Sequence, residues 1–279
     1  MRAYYTIVFV FLLFTVKNVL AQTITGPASK DSSFHLIKSY AGDIADAAID
    51  NLDNLYIISS TGQIKKFNSV GDSAGIYNQM RISGKLYSLD VSNPLKPLLF
   101  YKDFSTVVLL DRFLANRTTI DLRKHNILQA GAAGLSYDNN VWVFDEYDNK
   151  LKKIDEQGNK LLETPDFRTI FTEAIRPQKI INDNGFVYLA DTANGVYVFD
   201  NYGSFKKKIS LKSWKSIAVK ENYLIQTHKD QITVYNTTTY VDVKKQIPSS
   251  FQPYLHSFST TSKLVTFSND FLRIYQYRF

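Results

Sequence analysis

Hydrophobic and polar positions alternate in short bursts along most of this chain. From Ser136 the order is a polar turn (Asp138-Asn139-Asn140), an apolar run (Val141-Trp142-Val143-Phe144), an acidic turn (Asp145 to Asn149), a second alternation through Leu151 and Ile154, and a glycine turn at Gly158. The stretch from Asn182 repeats that order: Asn182 to Gly185, Phe186-Val187-Tyr188-Leu189, Asp191 to Gly195, Val196 to Phe199, and a turn ending at Gly203. Short runs bounded by Asn, Asp and Gly are the pattern of strands joined by tight turns. Two copies in the same order predict a repeat architecture.

The same unit is legible elsewhere. Leu55-Tyr56-Ile57-Ile58 is followed by a turn, the strand Gln63 to Phe67 and a turn at Gly71; Leu98 to Tyr101 and Val107 to Leu110 follow, and Tyr223 to Gln226 and Leu264 to Phe267 open the later units. The centres of the second strands fall at Tyr56, Leu99, Trp142, Tyr188, Leu224 and Val265, about 42 residues apart on average, which is the spacing of a four-stranded propeller blade. The last unit has only three strands, and Phe34 to Tyr40 is a spare strand at the other end. The expected fold is therefore all-β: a six-bladed β-propeller of four-stranded antiparallel blades, with the N-terminal strand closing the last blade beside Phe271 to Tyr277. An outer-membrane barrel needs strands of about 9 to 11 residues with one continuous apolar face, which these short runs do not supply. A sandwich does not require the regular spacing.

Within Asp145 to Gly158 the positions of Asp145, Asp148, Leu151, Ile154, Asp155 and Gly158 resemble the NHL repeat, with Lys150 where that family often carries Arg. The copy at Gly185 to Gly203 keeps Tyr188, Asp191, Asn194, Phe199, Asp200 and Gly203 but is one residue shorter after Asn194; the other units match in outline only. The resemblance implies a propeller. It does not imply one activity, because NHL-like and related six-bladed propellers include binding scaffolds, lyases and lactonases.

The N-terminus changes the picture from fold to address. Arg2, an uncharged apolar run from Ile7 to Val16, and Val19-Leu20-Ala21 before Gln22 have the pattern of a secretory signal, and Lys17 interrupts the run before it is long enough to span a membrane. The expected organisation is a signal peptide over 1–21, a flexible segment over 22–33 and a single propeller domain over 34–279, with no transmembrane segment in the mature chain. The chain has no cysteine, which excludes disulfides, thiolate metal sites and Cys nucleophiles. That habit, with an Asn-, Lys-, Tyr- and Ile-rich vocabulary, resembles envelope proteins of Gram-negative bacteria and points to the periplasm, the outer-membrane surface or the exterior. The net charge is +7, and loss of Arg2 and Lys17 with the signal leaves a mild +5. The lysine pairs Lys65-Lys66, Lys152-Lys153 and Lys244-Lys245, and the run Lys206 to Lys208, are expected beside outward-facing strands, where they block edge-to-edge pairing.

Candidate chemistry is sparse. His35, His125, His228 and His256 are solitary, no HExxH or G-x-S-x-G motif occurs, and no cofactor or metal is expected. Gly131-Ala132-Ala133-Gly134 reads as an innermost strand near the axis, where small residues fit. Asp145 to Asn149 lacks the glycine and terminal Glu of an EF-hand and is read as a turn. The longest inter-blade connection, Glu163 to Arg176, carries Phe167, Arg168, Phe171 and Arg176; aromatics with Arg suit partner recognition, although both rings could equally pack down. His125, Tyr147, Trp214 and His228 fall in or next to loops on the same rim. These eight residues are the candidate binding set. The leading expectation is a non-catalytic interaction module, a monomer within a larger complex, that docks an envelope protein or secretion assembly; export disfavours nucleic acid. The alternatives are a lactonase- or lyase-type enzyme at the channel mouth and a carbohydrate or peptide binder.

Overall fold

The computed structural model describes residues 33–78 and 84–279. The expected signal peptide and nearly all of the segment over 22–33 lie outside the described residues. Among the described residues every strand belongs to one of six four-stranded antiparallel sheets. The first strand, β1 (Phe34–Ala41), is set apart. Blade 1 is then β2 (Asp46–Ile49), β3 (Leu55–Ile58), β4 (Ile64–Phe67) and β5 (Ser73–Tyr77); blade 2 is β6 (Ser88–Asp90), β7 (Leu98–Tyr101), β8 (Thr106–Leu110) and β9 (Asn116–Asp121). Blade 3 is β10 (Ala130–Leu135), β11 (Val141–Asp145), β12 (Lys150–Ile154) and β13 (Lys160–Glu163); blade 4 is β14 (Lys179–Asp183), β15 (Phe186–Asp191), β16 (Gly195–Asp200) and β17 (Phe205–Ile209). Blade 5 is β18 (Ser216–Lys220), β19 (Tyr223–His228), β20 (Gln231–Asn236) and β21 (Asp242–Gln246). Blade 6 is β22 (His256–Ser259), β23 (Lys263–Phe267), β24 (Phe271–Tyr277) and, as its outermost strand, β1.

The register of closure runs from Phe34 opposite Tyr277 to Ala41 opposite Phe271, with an irregularity between Leu36 and Lys38. The first strands of neighbouring blades, β6, β10, β14, β18 and β22, touch in succession and so surround the axis. Two faces follow from the chain path. The connection face carries the inter-blade segments and the turns between second and third strands; the turn face carries the other two turns of each blade.

Period-2 alternation explains why the central strands are apolar on both sides. Along β11, Val141 and Val143 pack with Leu98, Phe100 and Leu109 of blade 2, whereas Trp142 and Phe144 pack with Val187, Leu189 and Phe199 of blade 4. Each blade thus feeds two seams, and six apolar clusters fill the six seams. On the turn face the Asp or Asn opening a turn accepts the backbone N–H two residues on, as at Asp50 to Leu52 (2.9 Å), Asp111 to Phe113 (2.8 Å) and Asp200 to Tyr202 (3.0 Å). The third and fourth strands of blades 1 to 4 slip register at one place, between Lys66 and Phe67 and at the equivalent points, which bends the outer strand away from the sheet.

The lysine pairs divide. Lys206 and Lys208 on β17 and Lys244 on β21 are exposed on outermost strands, as expected. Lys65-Lys66 and Lys152-Lys153 lie on third strands instead, and Lys66, Lys152 and Lys153 are buried. Their ammonium groups are paired: Lys152 with Asp145 at 2.7 Å and with Asp148, Lys153 with Asp138 at 2.6 Å, and Lys66 with the Arg112 carbonyl of blade 2 at 2.9 Å. A buried ammonium persists only with such partners. The NHL-like aspartates Asp145 and Asp148 are therefore structural anchors for Lys152.

Candidate functional site

The segment from Thr164 to Gln178, which joins blades 3 and 4, is tied down at both ends. The Leu151 N–H donates to Thr164 Oγ1 (3.0 Å) and the Phe167 N–H to the Asn149 carbonyl (2.8 Å). Asp166 caps a 3-10 turn at Phe167–Thr169 by accepting from the Arg168 N–H (2.9 Å). Further on, Glu173 Oε1 accepts from the Tyr197 hydroxyl (2.6 Å) and from Lys208, the Arg176 N–H donates to Asp191 Oδ2 (2.9 Å), and Gln178 Oε1 accepts from the Thr192 N–H (2.8 Å). The Lys208 ammonium and the Tyr197 hydroxyl beside Glu173 hold its carboxyl down at about 2.

This anchoring decides where the predicted residues go. Phe167 is buried between Phe144 and Phe199, with centroids 5.9 and 5.1 Å away, and Phe171 sets its edge against Phe167, Tyr197 and Phe205. Both rings wedge blades 3 and 4 together. Arg168 is exposed, bound to Asp166 on its own turn and reaching the Asp148 carbonyl (3.5 Å). Arg176 is exposed and lines a cleft of about 410 Å³ with Lys102, Gln129, Glu146, Asn149 and Gln178. Inside it, Glu146 accepts from Lys102 Nζ (2.9 Å) and from Gln129 Nε2 (2.7 Å). Gln129 and Gln178 immediately precede the innermost strands β10 and β14, which puts the cleft at the mouth of the channel. Tyr147 stands 65 % exposed on the turn after Glu146.

The other three candidates sit elsewhere. Trp214, on the segment between blades 4 and 5, is half-buried against the cluster around Tyr188 and Ile217, and its indole nitrogen has no hydrogen-bond partner. His228 ends β19 and meets the Ser213 carbonyl through Nδ1, so these two mark the rim at blades 4 and 5. His125 ends a 3-10 turn after β9 and lies against the Gly158 turn of blade 3, at the outer edge of the ring. The structure brings Tyr147, Arg168 and Arg176 together and leaves His125 apart.

Sequence reasoning missed three residues of this face. Phe104, Leu128 and Ile170 are exposed on the loops of blades 2 and 3, each 44 to 54 % open. Each is an apolar residue in a loop, with no strand-like alternation to mark it. It also missed the polar side chains that the innermost strands bring to the axis: Asp46 on β2, Asp90 on β6, Lys179 on β14 and His256 on β22. Burial raises the Asp46 carboxyl, opposed by the Ala47 N–H and then by Lys179, and lowers the Lys179 ammonium, opposed by Asp90 and then by Asp46. Among the described residues no group of three or more His, Cys, Asp or Glu is arranged to hold a metal ion.

No protein-family model and no curated protein matches the chain. Solved structures do. The chain is similar to the WD40 domain of Pan2 from Neurospora crassa (TM-score 0.61, 12 % identity, covering 88 % of this chain and 98 % of that one). It is similar to a Bacteroides fragilis protein described as exported (TM-score 0.56, 11 % identity, 88 % and 95 %) and to a streptogramin B lyase (TM-score 0.55, 16 % identity, 82 % and 77 %). At these identities the likeness is one of fold, and it identifies the chain as a propeller.

Proposed function

We propose that this propeller is a non-catalytic protein-interaction module of the cell envelope that docks a protein partner through its connection face at blades 2 to 4. The observation that carries this reading is the exposure of Phe104, Leu128, Tyr147 and Ile170, with Arg123, Arg168 and Arg176, on the connection-face loops of blades 2 and 3 that also supply the polar cleft. Aromatic and Arg side chains surrounding a concave site are what a docking hot spot requires, because they bury much area at low entropic cost and donate several hydrogen bonds at once. The tied-down segment from Thr164 to Gln178 supports it further: a surface held rigid before contact loses little entropy on binding. Export through the N-terminal segment and an envelope protein or secretion assembly as the partner belong to the same proposal.

The test is capture of a partner from envelope extracts with the purified chain, followed by the triple substitution Tyr147→Ser, Arg168→Glu and Arg176→Glu. The partner should be retained by the unaltered protein and weakened by about 100-fold or more in the triple variant, since two or three hot spots at roughly 1 to 2 kcal/mol each are removed. Equal retention by both proteins would place docking elsewhere.

A further inference from the structure

The axial channel carries charges that docking at the rim does not use. Lys179 begins β14 in blade 4 and reaches to the neighbouring innermost strand, where Nζ donates to the Ile217 carbonyl at 3.0 Å. That is its one hydrogen bond among the described residues, so two of its three N–H donors are open. Asp46 begins β2 in blade 1, three blades away and therefore on the opposite wall. Its Oδ1 accepts from the Ala47 N–H at 2.8 Å, and Oδ2 has no partner among the described residues. Asp90 differs: it accepts from the Ser92 and Leu135 N–H groups, at 2.8 Å each, and is satisfied by its own backbone surroundings. Neither Lys179 nor Asp46 takes part in any ion pair among the described residues.

A cation and an anion thus stand at the starts of innermost strands on opposite walls of the channel, with no ion pair between them among the described residues. Both are water-accessible, and each bears a desolvation cost that its neighbours, Asp90 and Asp46 for the ammonium, the Ala47 N–H and Lys179 for the carboxylate, offset only in part. Lys96, Lys152 and Lys153 each meet a carboxylate, whereas Lys179, like Lys66, meets a carbonyl alone. A bare metal cation would meet the Lys179 ammonium, and a simple anion would meet Asp46 and Asp90. A molecule with both charges satisfies both walls. We propose that the axial channel binds a small zwitterion, a free α-amino acid, with its carboxylate on Lys179 Nζ and its ammonium on Asp46 Oδ2. His256, exposed at the start of β22 and stacked on Phe267 with ring centroids 5.2 Å apart, is the next polar side chain at the Asp46 end of the channel.

The experiment is calorimetric titration of the full chain with glycine, L-alanine, D-alanine and L-serine as probes, each to about 20 mM, a ceiling set by a weak small-ligand affinity near 1 mM. At least one probe should bind saturably with one site. Asp46→Asn and Lys179→Gln should each weaken it by about tenfold or more, and acetate or methylammonium alone should bind at least about tenfold more weakly than the amino acid, because each engages one wall only. Absence of saturable heat from all four probes overturns the proposal, as does binding that survives both substitutions. Far-UV circular dichroism checks each variant; if Lys179→Gln fails to fold, Asp46→Asn and the half-ligand series decide alone. The site is separate from the rim residues, so failure here leaves docking standing, and loss of partner capture in the rim variant leaves this site untouched.

Discussion

The seam between blades 3 and 4 and the seams around blade 6, where the ring closes, solve one packing problem with different chemistry. Between blades 3 and 4 the space is filled with rings: Phe167 sits in a stack with Phe144 and Phe199, and Phe171 closes it from the side. Around blade 6 the apolar filling is interrupted by buried hydroxyls, with Thr227 Oγ1 donating to the Ser257 carbonyl (3.0 Å), Ser216 and Thr227 sharing a hydrogen bond (2.6 Å), and Tyr277 meeting Ser259 Oγ (2.6 Å) and the Thr260 carbonyl (2.5 Å). Apolar rings tolerate small slips, whereas a hydrogen bond fixes direction and offset. The difference teaches that ring packing alone can hold a seam, while directional bonds on the strands of blades 5 and 6 set the offset of the sheet that β1 completes.

The largest way to break this comparison is to remove residues 34–41. Blade 6 then exposes the edge of β24 and the rings of Tyr275 and Tyr277, and the chain should lose its single cooperative unfolding transition, read by circular dichroism in urea. Next is Phe167→Ala, which should cost about 3 to 5 kcal/mol in a urea titration, as expected for a fully buried ring, and should expose the Thr164 to Gln178 segment to limited proteolysis. Tyr277→Phe keeps the ring and removes its hydroxyl; a loss of roughly 0.5 to 1.5 kcal/mol, confined to the closing seam, is the expected outcome. The smallest effect is electrostatic. The Glu173 carboxyl lies at about 2 in the folded chain against 4.5 for the free group, so the stability it contributes is complete above pH 4.5 and is lost as the pH falls from there toward 2. The acid limb of the stability curve should flatten in Glu173→Gln, and protease sensitivity near Phe171 should rise on acidification in the parent only. The Tyr277 hydrogen bonds, being neutral, should not respond in that range.

Much of the fold was legible because a blade is a local object. Turn, strand and turn are written in contiguous residues, and the match of Phe34 to Tyr40 with an incomplete last unit gave away the closure. What lies between blades was not. Lys152 and Lys153 look like any surface pair until Asp145, Asp148 and Asp138 are placed around them, and the pattern of β12 cannot say which neighbour stands opposite. Phe167 and Phe171 read as aromatics in a loop; the stack that buries Phe167 comes from β11 and β16, more than a strand away on either side. His125 shares a face with Arg176 by chain path but not by position, because the outer strand of each blade twists toward the next. Lys179 and Asp46 are far apart in sequence and come to opposite walls of one channel only because six innermost strands share one axis.

The pairing of β1 with β24 has a mechanical consequence. Phe34 and Tyr277 are direct partners in an antiparallel register, so a tension applied between those two residues pulls one rung at a time, as a zipper opens, and never loads the whole ladder in shear. The ring is therefore expected to yield at low force when stretched from its ends, and to hold far better when the same load is applied across blades 1 and 4.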